Sequence, residues 1–235
     1  MIPLSAIPLT LNPDRLFPAD PTVRGIAREL YGAVKDLPII SPHGHVPVEW
    51  LSENQAFTDP TTLLLTPDHY TNRLLHSVAG VELEQLGVPL GSPMDEAKSR
   101  EAFRIFCSNW KVFRGTQVQF WFESQFVDVF GLDVRPSAET ADHIYDTIVA
   151  ALATDEYKPR ALYKRFNIEA LATTDDPCDD LAGHKKLVDD PTWDSRVVPT
   201  FRPDKYLEPA REDWVELTKA LGEAAGVEIG SYADH

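Results

Sequence analysis

The first regular pattern of apolar positions along the chain lies in residues 21–34. Apolar side chains recur there at helical spacing, which predicts an amphipathic helix, at Val23, Ile26, Leu30 and Val34. The segment before it is rich in proline and shows no period. A short apolar run at 37–43, interrupted by prolines, predicts a buried strand that ends in a functional loop.

Helical periodicity dominates the next part of the chain, from Val46 to about Ala153, and no second strand is evident there. The helices that this region predicts are 68–79, 93–113, 116–130 and 138–153. Ser92 before Pro93, and Ser137, provide start signals, and Gly131 is placed to end a helix. The pattern predicts a helical insertion of about 100 residues after the first strand.

Strands and helices alternate in the rest of the chain. Helices are predicted at 159–166, 179–188 and 209–225, the last ending at Gly226, and strands at 168–174 and 196–201. The alternation predicts a parallel sheet whose functional groups gather at the C-terminal ends of its strands. Three strands are too few to close a (β/α)8 barrel, which takes ~250 residues. We therefore expect an α/β fold that contains part of such a barrel.

Charge and cysteine content limit the partners and the compartment. Acidic residues outnumber basic ones 37 to 22, and the net charge of -15 argues against binding to nucleic acid or to an anionic membrane. A small-molecule partner is expected, and Arg73 and Arg202 are the candidates for holding an anion against this charge. Cys107 and Cys178 form no disulfide framework or Cys-rich zinc motif. Together with the lack of a signal peptide or of a membrane-length apolar run, this predicts a cytoplasmic protein.

The sharpest local motif is His43-Gly44-His45, at the end of the first predicted strand. In an extended segment, side chains two residues apart face the same way, so two imidazoles can bind one metal ion. Gly44 leaves room for a ligand to approach closely. Taken alone, the pair is as compatible with two polar loop histidines as with a metal site.

Four motifs in a fixed order resemble those of the uronate isomerases, which are metal-dependent sugar-acid isomerases of the amidohydrolase superfamily. Residues 41–45 are similar to the family's Asp-Tyr-His-Cys-His, and residues 68–70 match its Asp-His-Tyr. Residues 173–177 match Thr-Thr-Asp-Asp-Pro without change, and residues 201–205 are similar to Trp-Arg-Pro-Asp-Lys. The insertion between them has a similar size. The resemblance spans most of the chain.

The resemblance implies the N-terminal half of a metal-dependent-hydrolase-type (β/α)8 barrel with a helical insertion. The implied division is 1–45 for the arm, helix and first strand, 46–157 for the insertion, and 158–235 for the continuing barrel. The implied metal ligands are His43 and His45, with a divalent metal, zinc, as the expected cofactor. The implied catalytic and substrate-binding residues are Tyr70, His69, Arg202 and Arg73. The expected partners are a hexuronate and further copies of the chain in a homo-oligomer.

Some of these residues also have a purely structural interpretation. Tyr70 is compatible with half-buried packing, Arg73 with a helix-surface salt bridge, and Arg202 with an ordinary turn. Asp175 and Asp176 are expected to cap the helix after Pro177. The remaining residues to which no function is assigned are the core aromatic residues Phe120, Trp121, Phe122, Phe126 and Phe130 and the helix histidines His76, His143 and His184.

The sequence departs from the family at Pro42, Gly44 and Phe201, which leaves the choice of uronate open. The family's metal-binding Asp, with its Arg and Trp, is expected beyond His235, so the chain by itself is predicted to be inactive. Two other functions remain open. One is a metal-dependent hydrolase of the same superfamily, and the other is a non-catalytic half-barrel module whose sheet edges another chain covers.

Overall fold

A computed structural model describes residues 8–231 and 233–234. The described residues form two compact units. The first, which we name the helical unit, comprises 8–36 and 56–158; the second, the sheet unit, comprises 37–55 and the described residues from Pro159 onward. The predicted division at 1–45, 46–157 and 158–235 stays a prediction.

The main elements follow one another along the chain as α1 (Pro21–Val34), β1 (Ile39–Ser41), α2 (Val48–Glu53), α3 (His69–Ala79), α4 (Glu96–Ser108), α5 (Gln117–Ser124), α6 (Ala141–Leu152), α7 (Pro159–Arg165), β2 (Ile168–Ala172), α8 (Ala182–Asp189), β3 (Arg196–Val198) and α9 (Trp214–Ala225). Shorter 3-10 helices lie at Leu83–Leu86, Trp110–Phe113, Asp155–Tyr157 and Asp204–Leu207, and π-helical turns at Thr61–Leu65 and Gln125–Val129. In the described part of the chain, no helix combines the length and apolarity needed to cross a membrane.

Side-chain caps fix where several helices begin. Asp20 accepts a hydrogen bond from the Val23 amide, and α1 has the limits that the periodicity predicts. Helix α4 begins three residues later than predicted, because its cap is Asp95, which accepts from the Lys98 amide, and not Ser92. Helix α2 was not predicted.

The core of the helical unit is an aromatic cluster between α4, α5 and the turns beside them. Phe106 is fully buried, and its ring centroid lies 4.7 Å from that of Phe122 and 5.4 Å from that of Phe113. Phe122 in turn lies 5.7 Å from Phe126. The predicted packing role of Phe122 and Phe126 is confirmed. Trp121 differs, because 45% of its side chain is exposed.

The sheet unit contains a parallel sheet, as predicted, and its strands lie in the order β1-β2-β3. Ser41 pairs with Leu171, and Leu171 pairs with Val197, so the C-terminal ends of the strands lie side by side. The strands are shorter than predicted, and the polar residues that follow them form loops at this edge. Beyond the strands, a single bridge joins Asp175 to Phe201.

Helices α2, α7 and α8 cover one side of this sheet. Val48, Leu51, Tyr163, Leu171 and Leu187 form its buried core. The prediction of a buried first strand is wrong for the described structure: 50% of Ile39 and 64% of Ile40 are exposed, and β1 is one of the two edge strands, with a neighbour on one side only.

Candidate functional site

The two histidines of the His-Gly-His motif converge just after β1. Their Nε2 atoms lie 3.2 Å apart, and the ring planes are nearly perpendicular, at 88°. Two imidazole nitrogens bound to one tetrahedral zinc at ~2.0–2.1 Å lie roughly 3.3 Å apart. The spacing of His43 and His45 therefore fits two ligands of a single metal ion. Within residues 8–231 and 233–234, no group of three or more potential metal-binding side chains is present.

The loop that carries the histidines is held against the end of β2. The Thr174 hydroxyl donates a hydrogen bond of 2.6 Å to the carbonyl of Gly44, and the Ser41 hydroxyl donates one of 3.2 Å to the carbonyl of His43. A Cβ atom on Gly44 would lie 3.4 Å from the Ala172 carbonyl oxygen. This distance is an ordinary van der Waals contact, so the fold leaves room for a small side chain here, and the predicted role of Gly44 in ligand approach stays a prediction.

Arg202 follows the bridge at Phe201 and is half-exposed. Its Nε donates to Asp204 at 3.1 Å, and among the described residues Asp204 is the only partner of its guanidinium. The two Nη groups are left for a ligand, and a planar carboxylate is the anion that such a fork binds best. Arg202 thus retains the donors that its predicted role requires.

Asp176 anchors the turn that follows Arg202. Its carboxylate accepts from the Tyr206 hydroxyl at 2.6 Å and from the Cys178 amide at 3.0 Å, and the Lys205 ammonium lies 2.6 Å away. Burial opposes ionisation, but these donors outweigh it and lower the pKa of Asp176. Burial, and then the hydrogen bond to Asp176, raise the pKa of Tyr206, which keeps the phenol protonated as the donor.

The expectation that Asp175 and Asp176 cap a helix is wrong. Helix α8 begins only at Ala182, whose amide donates to Asp180 instead. A turn at Pro177 and Cys178 and an irregular stretch up to residue 181 precede the helix, so the two carboxylates lie too far upstream to reach its first amides. Each carboxylate instead has partners on its own segment and on the loop that follows β3.

A buried polar group lies under the end of β2. The Thr173 hydroxyl donates to the Asp175 carboxylate at 2.6 Å and lies 2.8 Å from Nε2 of His184. Because that hydroxyl has one hydrogen, the His184 Nε2–H is the donor of the second contact. Asp175 also accepts from the Thr200 amide at 3.1 Å. The sequence analysis assigned His184 no role, but its side chain is buried and ties α8 to this edge of the sheet.

In the helical unit, His69, Tyr70 and Arg73 lie together at the start of α3. Asp68 caps this helix by accepting from the amides of Tyr70 at 2.9 Å and Thr71 at 3.1 Å. The Tyr70 side chain is 49% exposed, and its ring lies 4.2 Å from that of His69. The Arg73 guanidinium lies 5.6 Å from the Tyr70 ring centroid, and it forms no ion pair with any described residue. The salt-bridge interpretation of Arg73 is therefore not supported by the described residues.

Trp121 is a candidate that the sequence analysis missed. Its ring meets Tyr70 edge-on, with the centroids 6.0 Å apart. The helical phase gave no clear signal, because Trp121 is rotated only about 60° from the buried Val118 and about 100° from the buried Phe122 around α5. The two exposed rings form an apolar surface of the kind on which a sugar packs.

Comparison with known proteins agrees with the motifs. The family model of glucuronate isomerase (UxaC) matches residues 22–235. The uronate isomerase of Cutibacterium acnes is 53% identical over 223 residues, which cover 95% of this chain and 47% of the relative. That of Corynebacterium efficiens is 52% identical over 216 residues, which cover 92% of this chain and 45% of the relative. The chain thus spans about half the length of the curated relatives that it matches.

Solved structures give the same result. The crystal structure of glucuronate isomerase from Caulobacter crescentus matches 97% of this chain and 47% of its own, with a TM-score of 0.89 and 43% identity. The uronate isomerase of Thermotoga maritima matches 85% of this chain and 42% of its own, with a TM-score of 0.74 and 28% identity. The resemblance inferred from four short motifs is confirmed, and the chain belongs to the glucuronate (uronate) isomerase family.

Proposed function

We propose that the whole protein is a uronate isomerase that interconverts an aldo- and a keto-hexuronate by proton transfer through an enediol. D-glucuronate with D-fructuronate, or D-galacturonate with D-tagaturonate, is the substrate pair. The observation that carries the proposal is the convergence of His43 and His45 at 3.2 Å, at the strand end, in a chain of this family. A hexuronate also accounts for exposed cationic groups in a chain whose net charge is -15.

His43 and His45 hold a divalent metal, with zinc as the proposed ion. Their spacing and their neutral nitrogen donors suit it, and their exposed side chains leave room for substrate oxygens. When bound, such an ion acts as a Lewis acid that polarises those oxygens. Catalytic zinc usually has three protein ligands. We propose that the third ligand lies in the region of the whole protein that corresponds to the part of the relatives not covered by this chain.

The other candidate residues divide the remaining tasks. Arg202 binds the substrate carboxylate through its free Nη edge, a geometry that lysine does not reproduce. Isomerisation moves a proton between C1 and C2, so an acid/base group has to reach these atoms. Tyr70 and His69, both at the start of α3, are the proposed groups, and Arg73 orients the Tyr70 ring and binds substrate.

The three strands form part of a (β/α)8 barrel in the whole protein. Parallel strands with loops at their C-terminal edge, and the exposed outer edge of β1, support this proposal. An uncovered edge strand exposes its unpaired backbone groups to other chains. We also propose that the 235 residues alone turn over no hexuronate, because they supply only part of the site. The whole protein is proposed to act as a homo-oligomer in the cytoplasm.

The test uses the whole protein, with hexuronates offered in D2O and followed by proton NMR. An enediol lets the proton removed from C2 exchange with solvent, so we expect deuterium at C1 of the keto product and at C2 of the recovered aldo-hexuronate. His43→Ala is expected to lower turnover by at least ~100-fold, whereas His143→Ala, which alters an exposed histidine of α6, leaves it unchanged. Hydrolysis of an ester, lactone or amide without any isomerisation would instead establish the hydrolase.

A further inference from the structure

The segment Thr173–Asp176 joins the loops that carry the candidate ligands and Arg202. Thr174 contacts the His-Gly-His loop, Asp175 contacts Thr200 just before Arg202, and Asp176 contacts Lys205 just after it. Side chains alternate along an extended segment, so neighbouring residues reach opposite directions. The Thr174 side chain therefore reaches one loop, while the side chains of Thr173 and Asp175 reach the other side of the segment.

Thr173 and Asp175 fix the segment on the side of β3. The Thr173 amide donates to the Val198 carbonyl at 3.0 Å, and the Asp175 amide donates to the Thr200 carbonyl at 3.4 Å. Their side chains are hydrogen-bonded to one another, and the Thr173 hydroxyl is also bonded to the buried His184. Hydrogen bonds between buried polar groups favour a single geometry here, because breaking one of them leaves a buried donor or acceptor unsatisfied.

Thr174 transmits this geometry to the histidines. Its hydroxyl donates at 2.6 Å to the carbonyl of Gly44, the one residue between His43 and His45. The bond fixes the peptide plane that precedes His45, and the loop needs such a restraint because both of its histidine side chains are exposed. A carbonyl free to rotate here would change the direction in which His45 projects.

We propose that Thr174 is a positioning residue for the His43–His45 pair, acting through its hydrogen bond to the Gly44 carbonyl and held in place by Thr173 and Asp175. The inference deepens the proposed function and rests on it, because it assigns the pair as metal ligands. A partner that orients a ligand typically changes metal affinity about 10- to 100-fold when it is removed. The hydroxyl of Thr174 therefore contributes to metal binding without touching the metal.

The test compares Thr174→Val, which keeps the shape and removes the donor, with Thr174→Ser, which keeps the donor. Zinc titration of the whole protein by calorimetry is expected to give about 10-fold weaker binding for Thr174→Val and near wild-type binding for Thr174→Ser. Thr192→Val is the matched control: the Thr192 hydroxyl donates at 2.6 Å to Asp190 in the same unit, and it has no bond to the histidine loop. Equal zinc affinity in all variants would overturn the proposal.

Amide hydrogen exchange separates this inference from the proposed function. If the wild-type protein binds no zinc, the metal site is wrong, and exchange at Gly44 and His45 then decides the positioning role alone. We expect faster exchange at these amides in Thr174→Val but not in Thr174→Ser or Thr192→Val. Exchange that is the same in all these proteins would refute the positioning role whether or not zinc binds.

Discussion

Removing the hydroxyl of Tyr206 tests how the loop after β3 is held. Tyr206 is buried, and it donates to Asp176 at 2.6 Å. Tyr206→Phe keeps the ring and its packing but leaves the carboxylate with one donor fewer. A hydrogen bond to a charged group contributes ~1.5–3 kcal/mol. Because 35% of the Asp176 side chain is exposed and water replaces part of the bond, we expect a loss below this range, about 1 kcal/mol.

The unfolding free energy that Tyr206→Phe loses should become smaller as the pH is lowered. The pKa of Asp176 is lowered in the folded protein, so its bonds stabilise the fold above the unfolded carboxylate pKa of ~3.9. That stabilisation disappears as the pH falls through the folded pKa. The difference in unfolding free energy between Tyr206→Phe and wild type should therefore be largest at neutral pH and shrink below about pH 4.

Urea unfolding followed by tryptophan fluorescence, between pH 3 and pH 8, measures this difference. Tyr163→Phe is the matched control, because the buried Tyr163 in the same unit donates at 2.9 Å to the neutral carbonyl of Arg196. Its loss of about 1 kcal/mol should not vary with pH. A Tyr206→Phe penalty that is constant across this range, or a control penalty that varies equally, would refute the reasoning.

Further predictions concern packing and the aromatic surface. Phe106→Ala should cost ~3–5 kcal/mol in urea unfolding, whereas Phe201→Ala, at an exposed side chain, should cost little. Gly183→Ala should lower the free energy of unfolding by ~1–3 kcal/mol, because its Cβ would lie 2.6 Å from the Val48 side chain. Gly25→Ala, whose Cβ would lie in open space on a helix, should raise it by ~0.5–1 kcal/mol, as measured by thermal melts. Trp121→Ala should raise the uronate KM of the whole protein at an unchanged melting temperature, and Trp121→Phe should restore it; an equal loss of melting temperature would point to packing.

Helices that show apolar residues at helical spacing over several turns, and a clear N-cap residue, could be predicted from the sequence. Helix α1 combines apolar residues at helical spacing with Asp20 and Pro21, and its limits were predicted correctly. Helix α2 has only six residues, too few to show a period, and it was missed. Ser92 was chosen as a cap because a proline follows it, but Asp95 is a better acceptor closer to the apolar stripe.

The part of the candidate site that could be predicted is the part whose geometry depends on the spacing of residues that are close in sequence. The convergence of His43 and His45 is what their spacing of two residues predicts. The roles of Thr174 and His184 could not be predicted, because they depend on strand register and on pairing between distant segments. Thr174 and its acceptor Gly44 are 130 residues apart.

We propose that His43 and His45 bind a divalent metal ion, and that the whole protein needs this ion to isomerise a hexuronate. The most direct measurement is the turnover of D-glucuronate and D-galacturonate by the whole protein before chelation, after chelation, and after zinc is returned. We predict that turnover is lost on chelation, is restored by zinc, and is not restored by zinc in His43→Ala or His45→Ala. Turnover that survives chelation or either substitution would contradict the claim.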